Sequence, residues 1–383
     1  MYPQLLHSGV NRRQLLTTSA SALAVGVAGC SGGGGGGSGD LTIESIEEWP
    51  PSDYEDSINV WNWYTRWRDE VLEEFTDEYS GIENTTVDAY NQPGQFYSQV
   101  QGSHSIDNIG STGEFSEKMM DEDLISPLPT DLMPAWDKVS DRYKSITEET
   151  YSKNGDVYAL PTTALIIPCL EYNEDYFDSP PNSFDIFWNE EFADQIAMWD
   201  RDYILMQIAA LYTGQDPHDP DDMDEIQEVL IQQKDLNRTY YQDHDTVQQL
   251  FASEDVVVGA APHSSATQTR AELNDSVTYT VPKEGTLVSV DQLVVPSEAP
   301  NPVAGAMFTD FGLSDASAKL YWEQAYSPVT TDNAFDLIDE YEDDEDIAET
   351  ARFEDDWDLI VREPLSDEVR EKVSDMYTEV QAA

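Results

Sequence analysis

The sequence predicts an α/β protein in two lobes. Three observations carry that expectation. The 383 residues are about two to three times the length of a common domain. Short β-branched and aromatic runs alternate with amphipathic helical stretches, the pattern of a largely parallel sheet covered by helices. No internal repeat or sustained heptad points to another architecture.

Taken in order, residues 40–56 are acidic and contain prolines, and read as the end of a tether. Order is expected from Ser57, where Ile58, Val60 and Trp61 make a short strand running into a loop. A helix follows with Val71, Leu72, Phe75 and Tyr79 on one face. Residues 85–90 and 106–109 read as strands on either side of a helical stretch at 96–100. Further on, 157–160 and 165–172 are strand-like, and 203–212 is a helix stopped by Gly214. Residues 256–260 read as a buried strand and 287–295 as an alternating one. Ser366 caps a last helix whose Val369, Val373, Met376 and Val380 recur at helical spacing.

Composition narrows the function classes. Hydrophobic residues make up 39% of the chain, enough for a sizeable core, so bulk disorder is excluded. Nineteen Lys and Arg stand against 77 Asp and Glu, a net charge of −58, which repels nucleic acid and anionic lipid headgroups. The acids are spread among tryptophans, tyrosines and isoleucines and are not gathered in a tail. Such a surface fits a halophile of the haloarchaeal kind, because molar salt cuts the screening length to about 3 Å and removes most self-repulsion. Single carboxylates therefore carry little functional information. With Cys30 and Cys169 the only cysteines, a disulfide framework and a four-thiolate metal site are both ruled out.

The N-terminus reads as an address. Arg12 and Arg13 precede a small and apolar run ending Val27-Ala28-Gly29-Cys30, too short to span a bilayer. Paired arginines match a twin-arginine export signal. The end of the run resembles a lipobox, with Cys30 the lipidated first residue of the mature chain. Residues 31–39 are only glycine and serine, a flexible tether between lipid and folded body. The expected product is a lipid-anchored protein on the outer face of the membrane, touching the bilayer only through that anchor.

Enzyme motifs are absent: no nucleophile elbow, no His-Glu-x-x-His helix, no phosphate loop and no dinucleotide fingerprint. The acidic run from Asp216 to Glu225 lacks the glycine and terminal glutamate of a calcium loop and reads as solvated surface. No cofactor or metal is expected. Aromatics are more telling. Trp61, Trp63, Tyr64 and Trp67 crowd the loop after the first strand, and open α/β sheets bind ligands at the carboxyl ends of their strands. Trp61 and Trp67 fit the core, leaving Trp63 to meet a ligand.

At these residues a family comes into view. Val60-Trp-Asn-Trp-Tyr, Ile106-Asp-Asn-Ile-Gly-Ser-Thr, and Val281-Pro-Lys-Glu-Gly followed by Asp291 resemble the spermidine/putrescine-type solute receptors of ABC importers. Leu160-Pro161, the stretch from Pro296 into an Ala-rich helix, and Tyr326 with Pro328 follow in the same order. The resemblance implies a type II periplasmic-binding-protein fold with a hinge and an interlobe cleft. Lobe 1 would hold 57–161 plus 286–327, and lobe 2 would hold 162–285 plus 328–383. It also implies a monomer that captures a small-molecule solute and hands it to permease subunits.

Carried over residue by residue, the resemblance places Trp63 with Tyr64, Ser111 or Thr112, Asp291 and Tyr326 at the ligand. It puts Arg66 where the family has a second aromatic, and Arg201, flanked by Asp200 and Asp202, where it has an acid. Two clamping tryptophans become Pro262 and Ser289. Because arginine is scarce here, Arg66 and Arg201 open an anionic or zwitterionic ligand beside the family's polyamine. The competing class is a secreted hydrolase or transferase with a carboxylate pair in the cleft.

Overall fold

The computed structural model describes residues 41–89, 93–102, 105–350, 353 and 357–383. The export signal, Cys30 and the glycine tether lie outside these. The first sheet begins with β1 (Ser57–Trp61), β2 (Asn84–Asp88) and β3 (Asn108–Thr112), with β1 parallel to both neighbours. A small hairpin, β4 (Ser152–Lys153) and β5 (Asp156–Val157), precedes β6 (Leu160–Ile166). The chain then enters a second sheet of β7 (Cys169–Asn173), β8 (Ile196–Trp199), β9 (Asn237–Tyr241), β10 (Val258–Ala261) and β11 (Val277–Thr280). That sheet runs β11-β7-β10-β8-β9, parallel across β10, β8 and β9 and antiparallel at β7. The chain returns through β12 (Thr286–Val294), which pairs antiparallel with β6 on one side and with β3 on the other. Finally β13 (Leu359–Val361) lies parallel to the first residues of β12.

Each sheet has its own core. In the first, the helix Thr65–Glu78 buries Trp67, Val71, Leu72 and Phe75. Trp67 stacks on Tyr321 at 4.6 Å, and its indole N–H donates to the Ser317 hydroxyl at 3.0 Å. In the second, the helix Asp202–Thr213 is buried from Ile204 through Leu211. It is apolar all round because the sheet covers one side and the helices Met223–Lys234 and Asp367–Ala382 cover the other. The final helix is capped by Ser366 and buries Val369, Val373, Met376 and Val380, the four residues its spacing picked out. The α/β two-lobe expectation therefore holds.

Three expectations differ. Residues 41–56 are part of the folded body: Ile43 is buried in the first core, Trp49 donates its indole N–H to Asp310, and Glu55 accepts the Ala304 N–H. Acidic neighbours masked the apolar Ile43, Ile46 and Trp49 in the sequence. The run 165–172, expected as one strand, is two, because Pro168 has no N–H to give a ladder. Its halves belong to different sheets, so this is a place where the chain passes between lobes. Lastly, 328–383 is divided between the cores. Val329, Ala334 and Leu337 pack in the first, β13 joins the first sheet, and only the terminal helix packs in the second.

Candidate functional site

A cavity of about 480 Å³ lies between the two sheets. The first sheet contributes Trp63 and Tyr64 beyond β1, Thr112 at the end of β3 and Glu114 just past it, and Ser289 and Asp291 on β12. The second contributes Trp199 at the end of β8, Tyr203 beyond it, His244 at the start of the helix His244–Ala252, and Pro262 and Ser265 beyond β10. Arg362, just past β13, completes the wall.

The turn after β1 explains how Trp63 and Tyr64 are presented. Asn62 is buried, and its side-chain oxygen accepts the Tyr64 N–H at 2.9 Å. The amide fits because residue 110 on β3 is glycine: a Cβ there would stand 2.2 Å from Asn62 Nδ2. Tyr64 is thereby aimed at β12, where its hydroxyl donates to Asp291 Oδ2 at 3.0 Å. Trp63 packs edge-on to Tyr64, with ring centroids 5.8 Å apart.

Asp291 is 5% exposed in the middle of a strand that is buried along its whole length. Burial pushes its carboxyl up to about 8, with Glu114 adding to the shift and the Tyr64 hydrogen bond and Arg362 opposing it. Glu114 sits in the first turn of the helix Gly113–Asp121, and its Oε2 is buried without a hydrogen-bond partner. Arg362 Nη1 is 3.9 Å from Glu114 Oε1, and its guanidinium lies over the Tyr203 ring at 4.6 Å. On the far side, Trp199 packs against His244 at 5.0 Å. Burial, joined by the Arg201 charge, lowers the His244 pKa, so that wall is neutral.

The expected residues separate into two groups. Trp63, Tyr64, Thr112 and Asp291 come together at the cavity, as do Pro262 and Ser289. Ser111 is fully buried, with its hydroxyl on the Thr112 carbonyl, because alternation along β3 turns it away from its neighbour's side. Arg66 lies outside the cavity: Trp67 takes the inward position, and Arg66 pairs with Glu70 at 2.6 Å with its side chain 59% exposed. Asp200 accepts from Gln242 and from the Tyr377 hydroxyl. Arg201 is tied to the Asp200 and Gln242 carbonyls and lies over Trp199, one layer behind the wall. Tyr326 caps the helix Asp315–Ala325 in a left-handed conformation and donates to Glu272, away from the lining.

Sequence reasoning missed Glu114, Trp199, Tyr203 and Arg362. Glu114 is two residues past the hydroxyl pair already singled out, in a helix first turn where an acid is favoured. Arg362 follows the short apolar run Leu359-Ile360-Val361 and is one of few arginines in the chain, the signal that was spent on Arg66. Among the described residues no group of histidine, cysteine, aspartate and glutamate could hold a metal ion, and no helix is long and apolar enough to cross a membrane.

Known proteins resemble this chain in sequence and in fold. The sequence profile of the family described as bacterial extracellular solute-binding protein matches residues 70–349. Spermidine/putrescine-binding periplasmic protein 1 of Haemophilus influenzae is 26% identical over 273 residues, 69% of this chain and 72% of that protein. A putrescine/agmatine-binding protein of Pseudomonas aeruginosa is 24% identical over 284 residues, covering 67% and 73%. Among solved structures, the spermidine/putrescine ABC transporter substrate-binding protein PotD of Streptococcus pneumoniae superposes with a TM-score of 0.72. It is 20% identical, with 86% of this chain and 99% of that one covered.

Proposed function

The chain belongs to the bacterial extracellular solute-binding protein family, and from that premise we propose that it is the receptor of an ABC importer, capturing a small amine-bearing solute. A binding protein needs a cleft and a change of shape, and no chemistry. One observation carries the ligand class: the buried Asp291 carboxylate, held by the Tyr64 hydroxyl, faces a cavity walled by Trp63 and Trp199. An ammonium group fits such a site because a carboxylate binds it by charge-assisted hydrogen bonds and aromatic faces attract its charge. Solute closes the two lobes about the three segments that cross between them, 166–169, 281–286 and 362–366, and the permease reads the closed form.

The rest of the reading follows from the N-terminus and the surface charge. The protein is exported by its paired arginines, lipidated at Cys30 and held on the outer face by its glycine tether, working as a monomer in concentrated salt. Thermal melting in molar KCl against a panel of amines, amino acids, carboxylates and ferric chelates tests it. A ligand at about a hundred times its Kd adds roughly 2.7 kcal/mol, a shift of a few degrees. Stabilisation confined to compounds bearing an ammonium group supports the reading. A shift only with carboxylates or chelates contradicts it.

A further inference from the structure

We propose that the solute is a zwitterion, whose ammonium sits at Asp291 while a carboxylate on the same molecule is gripped by Arg362. This rests on the receptor reading and narrows its ligand.

Arg362 is the observation that a simple amine leaves unexplained. Its side chain is 13% exposed, and it lines both the main cavity and an adjoining one of about 290 Å³. Its carboxylate neighbour, Glu114, is 3.9 Å away, too far for a hydrogen bond. A guanidinium offers five N–H donors in a planar fork that matches a carboxylate at two points. Tyr203 supports the group, its ring centroid 4.6 Å from the guanidinium carbon. Further along β12, Asp291 faces the same cavity with one oxygen, Oδ2, committed to Tyr64. The cavity therefore presents, at one position, a guanidinium with donors to spare beyond its ion pair with Glu114 and, at another, the Asp291 carboxyl.

Strand register sets the spacing. The Arg362 N–H donates to the Val288 carbonyl, so Arg362 stands beside Ser289 on β12. Asp291 is two residues further on the same face, about 7 Å along the strand. Ser289 has a small side chain and keeps the space between them open. A short-chain amino acid with its charges at opposite ends spans that distance. A diamine of equal length would bring its second ammonium against the buried Arg362, a like-charge contact that a matched carboxylate avoids.

Calorimetry on the purified protein in molar KCl decides it with matched pairs: 4-aminobutyrate against putrescine, and 5-aminopentanoate against cadaverine. The expected result is that each amino acid binds at least about tenfold tighter than its diamine, a difference of roughly 1.4 kcal/mol. Arg362→Gln should weaken the amino acid about a hundredfold and reverse the order within each pair. Should the glutamine variant not fold, Arg362→Lys, which keeps the charge without the fork, should weaken the amino acid about tenfold. Tighter diamine binding by the wild type, or an order unchanged in Arg362→Gln, overturns the zwitterion while the receptor stands. No heat with either class overturns both.

Discussion

Replacing Asp291 by asparagine removes the ionisable group at the centre of the cavity and keeps its shape. In the wild type, burial holds the carboxyl protonated up to about 8, so an arriving ammonium must ionise it and a proton must leave. The groups facing it are Tyr64 from the loop after β1, Tyr321 from the helix Asp315–Ala325, Glu114 and Arg362. The Tyr64 and Tyr321 hydroxyls are pushed up by burial and stay protonated. Affinity for an amine-bearing ligand should therefore rise about tenfold per pH unit from about pH 6 towards 8 and then level off. Asp291→Asn should bind about 2 to 5 kcal/mol more weakly at the plateau, the usual cost of deleting one partner of a buried charged pair. Its affinity should be nearly independent of pH. Titration calorimetry in two buffers of different ionisation enthalpy, both in molar KCl, counts the proton directly. About one proton should be released by the wild type near neutral pH and none by the variant. Wild-type affinity in Asp291→Asn, or binding without proton release, would refute the placement of the ammonium.

The same ionisation affects the unliganded protein. Folding holds the protons of Asp291 and Glu171, both pushed up to about 8 by burial, that the unfolded chain loses near pH 4. Their stabilising contribution is complete below about pH 4 and disappears as pH climbs to about 8, so part of the decline in melting temperature over that range should be missing in Asp291→Asn. Gly110→Ala would drive a methyl group into Asn62, and should cost about 1 to 3 kcal/mol in denaturant unfolding and weaken binding through Tyr64. Ile43→Ala should cost about 2 to 5 kcal/mol, whereas a residue in a loose tether would move the midpoint hardly at all. Melting temperature should rise steeply with KCl, because the screening length falls from about 10 Å at 0.1 M to about 3 Å at 1 M for a chain carrying −58 charges; a flat salt response would contradict the halophilic reading.

Much of the fold was legible because its signals are local. The final helix was readable from Ser366 and four apolar residues, and the helix Thr65–Glu78 from Val71, Leu72 and Phe75. What was not legible depends on partners distant in sequence. Ile43 and Trp49 look like debris in an acidic stretch until the helix Pro302–Phe311 is brought against them. Residues 165–172 read as one strand because a proline inside an apolar run does not say that two sheets share it.

The site divides the same way. Trp63 and Asp291 stood out as an aromatic cluster and as an acid carried over by resemblance. Arg66 misled because adjacent positions on a helix are turned about 100° from each other, and Trp67 took the inward one. Arg362 was invisible because β13 is three residues long, and only its pairing with β12 places that arginine beside Ser289.

The most direct measurement is a crystal structure of the protein grown from high salt with whichever amine-bearing compound stabilises it most. The solute should lie between Trp63 and Trp199, its nitrogen about 2.8 Å from an Asp291 carboxylate oxygen, with the two sheets closed about it. A solute bound elsewhere, or bound in this cavity with its nitrogen turned away from Asp291, would contradict the assignment.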